Sequence, residues 1–125
     1  MITAQKTIIV VEDEQDAAEM FAEMMRLNGF RVLKAAGGAP AMSMIDKERP
    51  AAVILDIMMP DVSGLEVLRH MRHDPKLTKI PVIVVSAKSL PIDIKIGLEA
   101  GASVYLTKPV GYVDLKEAIE KVLNA

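Results

Sequence analysis

The chain has no cysteine among its 125 residues. Disulfides and thiolate metal sites are therefore excluded, and a reducing, cytoplasmic setting is expected. Aromatic residues make up only 3% and Trp is absent, whereas Met occurs nine times. Flexible thioethers are expected to pack along the helix faces instead. There is no surplus of positive charge: the formal net charge is -2. Direct binding to nucleic acid or to an anionic membrane surface is disfavoured on that ground. No apolar run approaches ~20 residues, so no membrane span is expected. The N-terminus lacks the charged and apolar regions of a secretory leader. Repeats, linkers and low-complexity tracts are missing too. A single domain over residues 1–125 is expected, close to the commonest domain size. Since 51% of the residues are hydrophobic and 26% charged, that domain can bury a core.

What the sequence does contain is an alternation of two periods. Thr7-Ile8-Ile9-Val10-Val11, Ala51-Ala52-Val53-Ile54-Leu55 and Ile80-Pro81-Val82-Ile83-Val84-Val85 are continuous apolar runs. Such runs suit strands covered on both faces. Residues 30–35 make a shorter, more polar strand suited to an edge, and Ser103-Val104-Tyr105-Leu106 a short fifth strand. Between them lie helical patterns. Ala17, Phe21, Met24, Met25 and Leu27 recur at helical spacing before Asn28-Gly29, a C-cap signal. Gly37-Gly38-Ala39-Pro40 opens a second helix and Asp46-Lys47-Glu48-Arg49-Pro50 closes it. Leu65, Val67, Leu68 and Met71 mark a third. Pro91 starts a fourth, carrying Ile92, Ile94, Ile96 and Leu98. Leu115, Ala118, Ile119 and Val122 mark the last. Alternating strands and helices predict an α/β fold: a parallel sheet of five strands with helices on both faces. The flavodoxin-like (βα)5 three-layer sandwich, of strand order 2-1-3-4-5, is the expected form.

Open α/β sheets build their sites at the carboxyl ends of the strands. There the third run ends on Asp56, and the first on Glu12 and Asp13. In the expected order those two strands are neighbours, so three carboxylates share one rim. They repel one another unless a cation lies among them. With only hard oxygen donors on offer, Mg2+ is the ion this set fits. The fourth strand ends on Ser86, whose hydroxyl can donate to a phosphoryl oxygen. The fifth is followed by Lys108, a point charge for the same purpose. Asp56 is expected to be a phosphate acceptor served by these groups. Each residue also has a plainer reading. Glu12 and Asp13 can cap the first helix, Asp56 can start a turn, Ser86 can cap a helix, and Lys108 can be a surface lysine. Pro109 can follow a cis or an ordinary trans bond, trans being the commoner. The joint placement of acids, acceptor, hydroxyl and cation at four strand ends favours the chemical reading.

The matching segments are Val10-Val11-Glu12-Asp13, Leu55-Asp56-Ile57-Met58-Met59-Pro60, Gly64, Ser86-Ala87, Gly101-Ala102 and Tyr105-Leu106-Thr107-Lys108-Pro109. Through them the chain resembles a response-regulator receiver domain of two-component signalling over essentially its whole length. The resemblance implies that a sensor histidine kinase or histidine phosphotransfer protein phosphorylates Asp56. It implies that Asp13 and Asp56 ligate Mg2+ directly, that Glu12 helps through water, and that the Met58 backbone carbonyl completes the protein ligands. Ser86 and Lys108 would hold phosphoryl oxygens, and Tyr105 would change rotamer as Ser86 moves inward; plain core packing is the alternative for Tyr105. The surface of the fourth helix, fifth strand and last helix would then change and control a downstream effector protein. Such a domain is a phosphoryl acceptor rather than an enzyme, with at most slow self-catalysed phosphorylation and autodephosphorylation.

Departures from the family pattern are few. Glu12 stands where Asp is commoner, and Ser86 where Thr is commoner. Met58 and Lys88 occupy variable positions flanking the acceptor. The positions that carry cross-subunit ion pairs in DNA-binding winged-helix relatives hold Ser103-Val104 and Ala118. A stand-alone receiver, or one excised from a larger chain, with output through protein binding, is therefore expected. Two rivals are weaker. A flavin binder would want a Ser/Thr/Gly-rich phosphate loop where Glu12-Asp13-Glu14 stands. A phosphatase with an Asp nucleophile would want an acid where Met58 stands.

Overall fold

A computed structural model describes residues 5–124. The expected span of 1–125 thus extends beyond the described residues at both ends. The elements run β1 (Thr7–Val11), α1 (Gln15–Leu27), β2 (Arg31–Ala35), α2 (Gly38–Glu48), β3 (Ala52–Asp56), α3 (Gly64–His73), β4 (Val82–Ser86), α4 (Pro91–Glu99), β5 (Val104–Thr107) and α5 (Tyr112–Leu123). All strand pairs are parallel and the order is β2-β1-β3-β4-β5, as the alternation predicts.

The period-2 geometry of a strand divides each apolar run between two cores. Ile8, Val10, Ala52, Ile54, Ile83 and Val85 face α1 and α5, where Phe21, Met25, Leu115 and Ile119 cover them. Ile9, Val11, Val53, Leu55, Val82 and Val84 face the other side, against Ile45, Val67, Leu68 and Met71. Both faces of β1, β3 and β4 are covered, which is why their sequences show no polar alternation. The edge strands β2 and β5 are only partly buried.

Element ends follow local chemistry. The Glu14 side chain accepts from the backbone N–H groups of Asp16 and Ala17 and caps α1. Asn28 closes the helix and Gly29 follows at φ +86°. Phe30 donates its N–H to the Met25 carbonyl, and so belongs to that closure rather than to β2. Helix α2 starts at Gly38, so Pro40 falls inside the first turn, where its missing N–H is harmless. Pro91 opens α4 as expected. That helix departs from the simple pattern: Ile92, Ile96 and Leu98 are exposed and only Gly97 is buried.

At the end of the sheet opposite Asp56, Arg72 joins three connections. Its Nε donates to the Gly101 carbonyl at 3.0 Å and its Nη1 to those of Thr78 and Ile80 at 3.0 and 2.8 Å. Burial lowers the pKa of this guanidinium, yet it stays charged. Arg72→Ala is expected to cost about 2 kcal/mol by leaving carbonyls unpaired. The check is a urea midpoint that falls while the m value holds. An unchanged midpoint would mean that the three bonds contribute nothing net.

Candidate functional site

The registers bring the strand ends together. Val11 lies beside Leu55 and Asp56 beside Val85, while Ser86 lies beside Thr107. The residues one step beyond β1 and β5, Glu12 and Lys108, therefore reach the same rim as Asp56. Oxygen atoms of Glu12, Asp13 and Asp56 all lie within 4.8 Å of one another. Glu12 is 2% and Asp56 4% exposed, whereas Asp13 faces solvent. Lys108 places Nζ 2.7 Å from Glu12 Oε1 and 3.5 Å from Asp56 Oδ2. A cleft of about 300 Å³ opens beside Glu12 and Asp13, bordered by Lys34 and Gln15.

Three carboxylates face one ammonium, so the rim carries an excess of negative charge. Burial first, and then the neighbouring Asp56 carboxylate, raise the Glu12 pKa above its ordinary 4.5 against the opposing pull of Lys108. Burial alone would lower the Lys108 pKa, but the bond to Glu12 and the charges of Asp56 and Glu12 outweigh it, and the net shift is upward. Lys108 therefore stays cationic. Glu12 is proton-prone wherever no further cation shares the rim. Hard oxygen donors crowded in this way fit a small divalent ion such as Mg2+.

The α1 cap belongs to Glu14, so Glu12 and Asp13 are not needed for it. Glu12 adds one bond to that turn, from the Glu14 N–H at 3.3 Å. Asp56 does start a turn, accepting the Met58 N–H on Oδ1 at 3.0 Å, and its Oδ2 faces Lys108. Ser86 is fully buried and accepts from the Lys88 N–H at 3.1 Å, which leaves its own O–H free to donate elsewhere. It does not cap α4, whose N-cap is Leu90. The Lys108–Pro109 bond is cis, although trans was the commoner alternative.

Two further expected participants are not members of the carboxylate cluster itself. The Met58 side chain is half-exposed, and its backbone meets the site through the N–H bond to Asp56. Tyr105 lies against α4, with its hydroxyl donating to the Lys88 carbonyl at 2.8 Å. A Cβ on Gly97 would come within 2.7 Å of its ring. Sequence alone does not mark Gly97, nor Asp61, whose carboxylate accepts from the Gly38 and Ala39 N–H groups at the start of α2. Their roles depend on neighbours in other elements, which leave no local pattern.

Comparison with known proteins agrees with this geometry. Residues 8–120 match the response regulator receiver domain family. The chain is 35% identical over 109 residues to the DNA-binding response regulator MtrA of Mycobacterium tuberculosis, covering 87% of this chain but 46% of that protein. It thus spans about half the length of such relatives. It is 30% identical over 119 residues to the polar-differentiation response regulator DivK of Brucella anthropi, covering 95% of this chain and 97% of that one. Among solved structures, a response regulator from Chloroflexus aurantiacus superposes with a TM-score of 0.93 at 30% identity, over 98% of this chain and 100% of the other. The receiver domain of sensor histidine kinase PA1611 from Pseudomonas aeruginosa, described with a magnesium ion coordinated in its active-site cleft, gives 0.90 at 27% identity, over 98% and 100%. With its five-stranded parallel sheet and its cluster of acids at one rim, the chain belongs to the receiver domain family of two-component response regulators.

Proposed function

We propose that residues 1–125 form one phosphoacceptor receiver domain in which Asp56 takes a phosphoryl group from a sensor histidine kinase or histidine phosphotransfer protein. The observation that carries this reading is the convergence of Glu12, Asp13, Asp56 and Lys108 at one rim. An Asp56 carboxylate oxygen attacks phosphorus, the bond from phosphorus to the donor imidazole nitrogen breaks, and a mixed anhydride forms. Asp13 and Asp56 would ligate Mg2+ directly, with Glu12 acting through water and Met58 through its carbonyl. Bound there, the ion neutralises charge that develops on the phosphoryl oxygens. Lys108, kept protonated by its carboxylate neighbours, holds one phosphoryl oxygen, and the Ser86 hydroxyl holds another.

The acyl phosphate adds about -1.5 to -2 of charge at the rim. Ser86 and the loop beginning at Lys88 respond, and Tyr105, bonded to the Lys88 carbonyl, follows. The output surface is α4-β5-α5, where Leu90, Ile92, Ile96 and Leu98 lie exposed for an effector protein. In this reading the domain is not an enzyme beyond slow self-phosphorylation and dephosphorylation, does not itself bind nucleic acid, and works in the cytoplasm beside its kinase. No described helix is long and apolar enough to cross a membrane.

The test is intact-mass measurement after incubation with acetyl phosphate. One phosphoryl adduct should form with Mg2+ and none with a chelator present. An adduct indifferent to Mg2+, or no adduct in either case, defeats the proposal.

The raised Glu12 pKa adds a pH dependence. Protons and Mg2+ compete for the same carboxylates, so affinity must fall as the pH is lowered. Because burial and Asp56 favour protonated Glu12, the fall should begin above the ordinary value of 4.5. Titrations of Mg2+ at a series of pH values check this. Affinity that stays flat down to that value would contradict it.

A further inference from the structure

We propose that Asp61 is a positioning residue for phosphoryl transfer to Asp56: from the loop after β3 it caps the neighbouring helix α2 and so holds the loop that carries Met58. The inference rests on the phosphoacceptor reading above and adds a residue to it.

Helix α2 has no cap of its own, because its N-cap position is Gly37. Asp61 supplies one from 23 residues away. Its Oδ1 accepts from the Gly38 N–H at 3.1 Å, and its Oδ2 from the Ala39 N–H at 3.2 Å. An anion shared between two free N–H groups suits a helix N-terminus. Backbone bonds, that of Val62 first and then those of Gly38 and Ala39, hold the Asp61 carboxyl below its ordinary 3.8, so the cap remains an anion at working pH.

The two glycines form the seat for this contact. A Cβ on Gly37 would lie 2.9 Å from Asp61 Oδ2, and one on Gly38 would lie 2.6 Å from Val62 Cβ. The Gly37-Gly38 pair, which sequence alone presents as the opening of a helix, thus has a second use: it lets the loop approach the helix end.

The loop is tied at its base by the Gly64 N–H to the Ile57 carbonyl at 2.9 Å and by the Met58 N–H to Asp56 Oδ1 at 3.0 Å. Its outer half meets the rest of the fold through Asp61 and through the packing of Met59 and Val62. Without Asp61 the peptide after Met58 gains freedom. That peptide includes the carbonyl assigned to Mg2+, and it adjoins the Met58 N–H that orients Asp56. A small displacement there is amplified, because transfer depends on alignment of the reacting atoms.

A purely structural cap would lower stability without changing ion dependence. The experiment therefore compares wild type, Asp61→Ala, Asp61→Asn and Arg72→Ala, all at a temperature where circular dichroism shows them folded. Two quantities are read: the initial rate of acetyl-phosphate labelling and the Mg2+ concentration for half-maximal rate. Asp61→Ala should raise the half-maximal Mg2+ about tenfold and slow labelling, the low end of what loss of a supporting partner does to a metal site. Asp61→Asn, which keeps one acceptor oxygen, should recover part of this, and it carries the test alone if the alanine variant melts too low. Arg72→Ala, at the far end of the sheet, should label like wild type despite its lower stability. An Asp61 variant with wild-type Mg2+ dependence overturns the inference, as does Arg72→Ala moving as far as Asp61→Ala. A wild-type chain that takes no label overturns the phosphoacceptor reading and this inference with it, so the two failures are distinguishable.

Discussion

Asp56→Asn should take no phosphoryl group at all. The amide is neutral and lacks a carboxylate oxygen to attack phosphorus, so the loss is complete rather than partial. The neighbouring carboxylates cannot substitute. Glu12 is buried and bonded to Lys108, while Asp13 is exposed at the edge of the cluster. The asparagine keeps one side-chain oxygen to accept the Met58 N–H, and its removal of one charge lessens the repulsion that raises Glu12. Its melting temperature should accordingly be no lower than that of wild type. This separates loss of chemistry from loss of fold. The measurement is intact mass followed by peptide mapping, with acetyl phosphate and Mg2+ present. A phosphorylated Asp56→Asn protein, or wild-type label mapped to another carboxylate, would remove Asp56 from its assigned role.

Gly64→Ala should be the most disruptive single methyl group in the site. A Cβ there would stand 2.2 Å from the Asp56 carbonyl oxygen and 2.7 Å from the Ile57 Cα. Both are backbone atoms, one of them belonging to Asp56 itself, so no side-chain rotation relieves the clash. Overpacking of this kind costs about 3 kcal/mol. The displaced backbone is the turn that aims Asp56, so labelling should fall even in molecules that remain folded. Gly29→Ala is the contrasting case. Nothing lies within 4 Å of its Cβ, and only its φ of +86° resists substitution. A loss of about 1 kcal/mol, with labelling unchanged, is expected there. Chemical denaturation and labelling rate, measured on both variants, check the pair. Equal stability losses would show that the turn after Asp56 relaxes more readily than its contacts indicate.

Legibility of the fold varied with how each segment is buried. The runs at Ile8–Val11, Val53–Leu55 and Val82–Val85 were readable because both faces of those strands are covered, leaving unbroken apolar stretches. The edge strands were less sharp. Phe30 joins the closure of α1, and the Ser103 hydroxyl accepts the Val82 N–H just before β5 begins. Helix α4 was readable as a helix from Pro91 and Gly101. Its exposed Ile92, Ile96 and Leu98 could not be assigned to a face from spacing, since alternation by two places them around the helix.

From residue types and order alone came the architecture, the strand order and the candidate acids, hydroxyl and cation at four strand ends. Burial on two faces and turn chemistry write themselves into local patterns, and strand ends can be counted. The folded chain alone revealed that Glu14 rather than Glu12 or Asp13 caps α1, that Lys108 sits nearer Glu12 than Asp56, and that the bond before Pro109 is cis. It alone brought Asp61 to α2 and the Tyr105 ring to Gly97. Those contacts join residues of different elements. Distances of that kind are set by how the layers pack, and no local period encodes them.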